Sequence, residues 1–127
     1  MENKYHKSKE AIELEYSEVR KAQENHQHFS VLYERYYDVI FTFIWKRLED
    51  EDGTADICQH VFLKAMINIK QFHFKGLPFS SWLFRIAVNE VNQYFRKHKK
   101  VRVVSMEDEQ ARHLAAEVKD ADKEETI

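Results

Sequence analysis

The chain has 127 residues and a formal net charge of −2, which suits one ordinary domain and is too short for two. Nine Phe, six Tyr and two Trp accompany only two Gly and one Pro, so turn-formers are too few for a sheet protein and an all-α compact bundle of three to four helices is expected. No apolar run approaches the roughly 20 residues that cross a bilayer, and the charged N-terminus lacks a signal-peptide core, so we expect a cytoplasmic protein without membrane insertion.

The first predicted elements are a weak helix and a long amphipathic helix. Residues 1–25 form a charged N-terminal extension in which Ile12, Tyr16 and Val19 could make a thin apolar stripe, which predicts a frayed or optional helix. A stronger pattern begins the predicted main domain, residues 26–102, and indicates a helix that ends near Glu49. Its apolar residues, three or four positions apart, are Phe29, Tyr33, Tyr36, Ile40, Ile44 and Leu48.

The second predicted helix has two different faces. It follows an acidic turn in which Asp52 or Thr54 could cap it, and it runs to about Lys70. Its core stripe comprises Ile57, Cys58, Val61, Phe62, Ala65 and Ile69. The opposite face mixes apolar and polar side chains: Asp56, Gln59, His60, Leu63, Met66 and Ile67. Such a patch suits a protein partner, although scattered surface apolar residues are also normal.

The third predicted helix follows a loop, residues 71–78, that holds Gly76 and Pro78. Ser80 or Ser81 could cap this helix, which continues to about Lys100. Its core side comprises Leu83, Phe84, Ala87, Val91, Tyr94 and Phe95. Its other side carries an aromatic ring, amides and cations: Trp82, Arg85, Asn89, Asn92, Gln93, Arg96 and Lys100. Cations neutralise phosphates, amides read base edges and rings stack on bases, so this side predicts nucleic-acid binding.

Aromatic rings beside cations in the loop favour single-stranded over duplex DNA. They are Phe72, Phe74 and Phe79, next to His73 and Lys75. Phe72 and Phe79 could instead close the end of the bundle.

Charge changes sign along the C-terminal third of the chain. Residues 85–102 carry about five net positive charges, and residues 107–127 carry about five net negative ones. This predicts a polyanion-binding segment followed by an acidic linker or tail, residues 103–127, although ordinary charged helix ends could give the same pattern.

Two motifs resemble region 2 of the extracytoplasmic-function (ECF) sigma factors, in the sigma-70 family. One is Asp-Ile-Cys-Gln at 56–59 with Phe-Leu-Lys-Ala at 62–65, and the other is Phe-Ser-Ser-Trp-Leu-Phe-Arg-Ile-Ala-Val-Asn at 79–89. The resemblance covers roughly residues 26–100, and the basic exit of the third helix adds to its specificity. Such sigma factors also carry a second, helix-turn-helix domain for the minus-thirty-five element, which this sequence lacks; a fragment and a different mode of action both remain open.

The resemblance implies a bacterial transcription initiation factor that is not an enzyme and needs no cofactor. It implies that Asp56, Gln59, His60 and Leu63 face the clamp helices of the largest subunit of RNA polymerase, and Met66 and Ile67 share that face. The non-template strand of the minus-ten promoter element would be captured, with a flipped base held near the loop. The expected DNA-binding residues are Phe72, Phe74, Lys75, Phe79, Ser80, Trp82, Arg85, Asn89, Asn92, Gln93, Arg96 and Lys100. An anti-sigma factor is a further expected partner. His60 stands where the family often has an acid, so the charge and pH response of the polymerase contact would differ.

Two other classes of protein are alternatives. A stand-alone helical interaction module could regulate polymerase or an anti-sigma factor without opening DNA. A metal or catalytic protein is disfavoured, because the seven His are scattered and no base is placed to activate Cys58, which falls on the core stripe.

Overall fold

Four helices make up the part of the chain that the computed structural model describes, residues 9–75 and 77–98. They are α1 (Lys9–Glu24), α2 (Ser30–Leu48), α3 (Glu51–Ile67) and α4 (Phe79–Lys97). Short 3-10 turns, His26–Phe29 and Ile69–Gln71, precede α2 and follow α3. Within these residues there is no strand, and the predicted all-α bundle is confirmed. The predicted tail, residues 103–127, lies outside the described residues.

The core lies where α2, α3 and α4 pack against one another, and the helical periodicity of the sequence located it well. Every member of the predicted α3 stripe is buried. On α2 the stripe is buried except for Tyr33, and on α4 except for the half-buried Tyr94. Phe43 and Phe84 meet edge to face across the α2–α4 contact, with ring centroids 5.5 Å apart. Large rings at three- and four-residue spacing therefore set the packing of the bundle.

Helix α3 begins earlier than the sequence pattern predicts. Glu49 adopts a left-handed conformation (φ 55°) that ends α2, and Asp50 is the N-cap, its Oδ2 accepting a hydrogen bond from Gly53 N at 3.0 Å. The predicted caps, Asp52 and Thr54, are therefore wrong, since both lie inside the helix. A Cβ at Gly53 would lie 2.6 Å from the capping oxygen, so glycine leaves room for the cap.

Helix α4 also begins without the predicted serine cap. Its N-cap is Pro78, which offers no side-chain hydrogen bond, and Ser81 N donates to Pro78 O at 3.1 Å. Ser80 is fully buried in the first turn. Pro78 has extended backbone (φ −69°, ψ 161°) and precedes the first helical residue, where its missing N–H leaves no intrahelical hydrogen bond unmade, so a proline is tolerated here without a capping hydroxyl.

Helix α1 is a regular 16-residue helix, more ordered than the frayed element expected from its charged sequence. Of the predicted stripe only Val19 is buried, while Ile12 is exposed and Tyr16 is half-buried. The face that packs inward includes Glu15, whose Oε2 accepts hydrogen bonds from Tyr36 Oη at 2.5 Å and Arg35 Nη1 at 2.9 Å. A buried carboxylate with charged and hydroxyl donors therefore anchors α1 to α2.

Candidate nucleic-acid interface

The solvent side of α4 presents a strip of cations and amides, as its sequence predicts. Arg85, Asn89, Gln93 and Arg96 are exposed, and Asn92 is half-buried beside them. These residues, with Trp82, are called the α4 strip below. Because they recur every three or four residues, one helix holds their donors and acceptors along one line. Lys100, also predicted for this surface, lies outside the described residues.

A pocket of about 240 Å³ opens between the end of α3 and the face of α4 that runs from Trp82 to Gln93. The walls include the Asn68 and Asn89 amides, the Trp82 ring and the Ile86 side chain. With Gln71 and Gln93, which also line it, these residues are called the α3–α4 pocket below and combine a ring, an aliphatic wall and four amides. Flat faces for stacking and amides for edge hydrogen bonds are what an unpaired base requires.

An ion pair between α3 and α4 supports this pocket. Lys64 Nζ lies 2.6 Å from Glu90 Oε2, with the carboxylate nearly buried and the ammonium half exposed. Asn68 Nδ2 donates to Lys64 O at 2.9 Å, which fixes the amide at the end of α3. Both groups of the pair line the pocket, so the negative charge of Glu90 is compensated next to any phosphate.

The aromatic residues around the loop divide into buried and exposed rings. Phe72 and Phe79 are buried, with centroids 5.7 Å apart and nearly perpendicular planes, and Trp82 lies 5.5 Å and 5.6 Å from them. Phe72, Phe79 and the buried Ser80 therefore have no surface for DNA in this structure, and the alternative of closing the bundle end holds for both phenylalanines. They support Trp82 from beneath, while Phe74 (41% exposed) and Lys75 face solvent.

The outer face of α3 is defined by Asp56, Gln59, His60, Leu63 and Ile67, which are all exposed. Leu63 is 49% exposed and Ile67 58% exposed, although both are large and apolar. Met66, predicted for the same face, is half-buried and packs against the core. The face is therefore an apolar centre between polar groups, an arrangement typical of protein interfaces.

Opposite charges line a wide groove of about 810 Å³ between the first half of α3 and the end of α4. Asp52 and Asp56 lie on the α3 side, and Lys97 and His98 lie on the α4 side. His98 Nδ1 is 2.9 Å from Tyr94 O, so its ring is held at the helix end. The acidic half of this groove borders the outer face of α3, and the basic half borders the α4 strip.

Sequence reasoning missed five residues of the pocket: Lys64, Asn68, Gln71, Ile86 and Glu90. Ile86 lies one turn after Trp82 and one before Asn89, so the helical spacing did contain a signal. Asn68 gave no such signal, because it follows the last residue of α3 and its position depends on how that helix ends.

Cys58 and the acidic and histidine side chains are the described groups that bear on thiol and metal chemistry. The Cys58 thiol is fully buried, and burial raises its pKa to about 12, so its sulfur stays protonated and shielded. Within residues 9–75 and 77–98, no three His, Cys, Asp or Glu side chains are grouped to hold a metal ion, and no helix is long and apolar enough to span a bilayer.

These features define an all-α domain with a polar, ring-bearing pocket beside a face suited to a protein partner. The family model for sigma-70 region 2 matches residues 32–101, more than half of the chain, and the chain belongs to this family. Helix α1 lies outside the matched residues.

Curated relatives carry RNA polymerase sigma factor names, and most of these names specify ECF sigma factors, in agreement with the resemblance. The chain is 33% identical over 75 residues to the ECF RNA polymerase sigma factor SigM of Bacillus subtilis (strain 168), covering 58% of this chain and 44% of that protein. It is 32% identical over 68 residues to the ECF RNA polymerase sigma factor BldN of Streptomyces coelicolor, covering 54% and 26%. It is 42% identical over 55 residues to the RNA polymerase sigma factor HrpL of Pseudomonas syringae pv. syringae, covering 43% and 29%. The chain spans less than half the length of these relatives, and no solved structure matches it.

Proposed function

We propose that this domain acts in bacterial transcription initiation by binding the clamp helices of the largest polymerase subunit and capturing the non-template strand of the minus-ten element. The α3–α4 pocket carries the proposal, because it places an aromatic ring and four amide side chains beside exposed cations. Membership of the sigma-70 region 2 family supports it. No covalent step is needed, because strand capture is a matter of binding.

In the proposed mechanism, one base of the melted strand enters the α3–α4 pocket and contacts the Trp82 ring. Asn68 and Asn89 offer hydrogen bonds to its edge, while Arg85 and Arg96 neutralise phosphates of the strand. Removing a base from the stack costs a few kcal/mol, and stacking in the pocket contributes about 1–3 kcal/mol per base, so the phosphate contacts complete the balance.

The outer face of α3 is proposed to bind the clamp helices. Leu63 and Ile67 supply apolar area, and Asp56, Gln59 and His60 supply polar contacts around it. Because this face and the pocket lie on adjacent helices, polymerase and DNA can be bound at the same time. An anti-sigma factor that covered the outer face of α3 would block the polymerase contact.

The experiment that tests the proposal is selection from a randomised single-stranded DNA pool by the 127-residue chain, with and without a clamp-helix peptide. Enrichment of a short motif is expected, with loss of enrichment in Asn89→Ala and Arg85→Ala. Lys46→Ala is the matched control, because it removes an exposed cation from α2 and leaves every residue of the α4 strip and the α3–α4 pocket unchanged. Peptide binding without any enriched motif would refute strand capture and favour an interaction module that regulates polymerase without opening DNA.

A further inference from the structure

Helix α1 is hydrogen-bonded to the start of the loop that precedes α4. Gln23 Nε2 donates to Ile69 O at 2.9 Å and to Phe72 O at 3.1 Å. Ile69 O also accepts from Phe72 N at 3.0 Å, so the same carbonyl closes the 3-10 turn after α3. The Gln23 side-chain amide on α1 therefore bridges the carbonyls of Ile69 and Phe72, which lie at the start and just after the end of this 3-10 turn.

A second contact joins α1 to the middle of the loop. The Tyr16 ring meets Phe74 edge to face, with centroids 5.0 Å apart, and the Arg20 guanidinium lies 4.9 Å from the Tyr16 centroid. A cleft of about 160 Å³ lies between these residues and Gln23. Helix α1 thus holds the loop at two separate points.

The first of these points is connected to the proposed DNA site through Phe72. The Phe72 ring is buried and lies 5.5 Å from the Trp82 ring, which lines the α3–α4 pocket. A shift of the Phe72 backbone therefore changes the support beneath Trp82. Close packing transmits such shifts, because a buried ring has no free space to absorb them.

We propose that Gln23 is a positioning residue for promoter-strand recognition, which fixes the Phe72 backbone and thereby the Trp82 wall of the α3–α4 pocket. The inference rests on the proposed function and extends the recognition apparatus to a helix outside the matched family region. Gln23 is not needed to keep α1 in place, because Glu15, Tyr36 and Arg35 anchor that helix to α2 independently.

The test compares Gln23→Met, which keeps the length but has no donor, with Gln23→Glu, which sets a carboxylate against two carbonyl oxygens. The two hydrogen bonds predict about a tenfold loss of affinity for the selected DNA strand in the Met variant and a larger loss in the Glu variant. Binding of the clamp-helix peptide should not change. Gln27→Met is the matched control on an exposed glutamine, and Val61→Ala controls for general destabilisation in the α3 core.

Hydrogen exchange of residues 69–75 is measured in the same variants without DNA. Exchange about tenfold faster in both Gln23 variants, with normal exchange in α2, is expected from loss of the bridge. Equal DNA affinity in Gln23→Met would overturn the proposal whatever the exchange rate, and equal exchange as well would leave Gln23 with a packing role alone. If the unsubstituted chain selects no DNA motif, the proposed function fails. Faster exchange in the Gln23 variants would in that case still show that Gln23 holds the loop. Unchanged exchange would overturn the role of Gln23 as well as the proposed function.

Discussion

Truncating the two exposed apolar residues of α3, Leu63 and Ile67, should weaken binding of the polymerase clamp helices without unfolding the domain. Full burial of such a side chain contributes about 1.5–3 kcal/mol. Since the structure leaves 49% of Leu63 and 58% of Ile67 exposed, about half of this remains available to a partner. Each truncation to Ala therefore costs about 1 kcal/mol, and the pair costs about 2 kcal/mol, or a roughly 30-fold rise in Kd.

The assay is an anisotropy titration of a labelled clamp-helix peptide with the parent chain and the Leu63→Ala/Ile67→Ala double variant. Urea unfolding is measured alongside, and stability should fall by no more than about 2 kcal/mol, because about half of each side chain is already buried and neither belongs to the fully buried core. Leu14→Ala is the matched control, since Leu14 is 49% exposed but lies on α1. A Kd within twofold of the parent for a folded double variant would refute the assignment of this face to polymerase.

Three further predictions concern the fold. Asp50→Ala should lower the urea unfolding free energy by about 1 kcal/mol through loss of the α3 cap, and an equal loss in Asp52→Ala would contradict that origin. Tyr36→Phe should cost about 1.5–3 kcal/mol in the same assay, because it removes a donor from the buried Glu15 carboxylate; a cost below about 0.5 kcal/mol would show that this bond contributes little. Since burial raises the pKa of Cys58 to about 12, its thiolate fraction at pH 8 is well below that of a free thiol, and iodoacetamide should label it only after unfolding; rapid labelling of the native chain would refute this.

A structural feature could be predicted from the sequence only where it depends on a local pattern of residues. The α3 and α4 core stripes follow from large apolar side chains at helical spacing, and burial of those side chains dominates folding. The inward face of α1 includes Glu15, a charged residue that periodicity assigns to solvent. Its burial depends on Tyr36 and Arg35, which lie about 20 residues away along the chain. A pairing of that kind is visible only after the helices have packed.

The candidate site was predictable to a similar degree. Arg85 and Asn89 were assigned to an exposed strip because a single helix fixes their common direction. Phe72 could equally have faced solvent or the core, since the course of a loop depends on contacts such as the Gln23 bridge. The cap of α3 illustrates the same limit, because several acidic residues stand close together and backbone conformation alone selects Asp50.

The Lys64–Glu90 ion pair lies at the contact between α3 and α4, where buried side chains of the common core hold the two helices together. It ties the helix proposed to hold polymerase to the helix proposed to hold DNA, directly beside the α3–α4 pocket. Because α3 and α4 pack directly against each other, the proposed polymerase-binding and DNA-binding surfaces are held at a fixed distance and angle. The position of the captured strand relative to the enzyme would then be dictated by the pitch and crossing of two helices, and a one-residue insertion in α4 would turn everything beyond it by about 100° and misalign the strand.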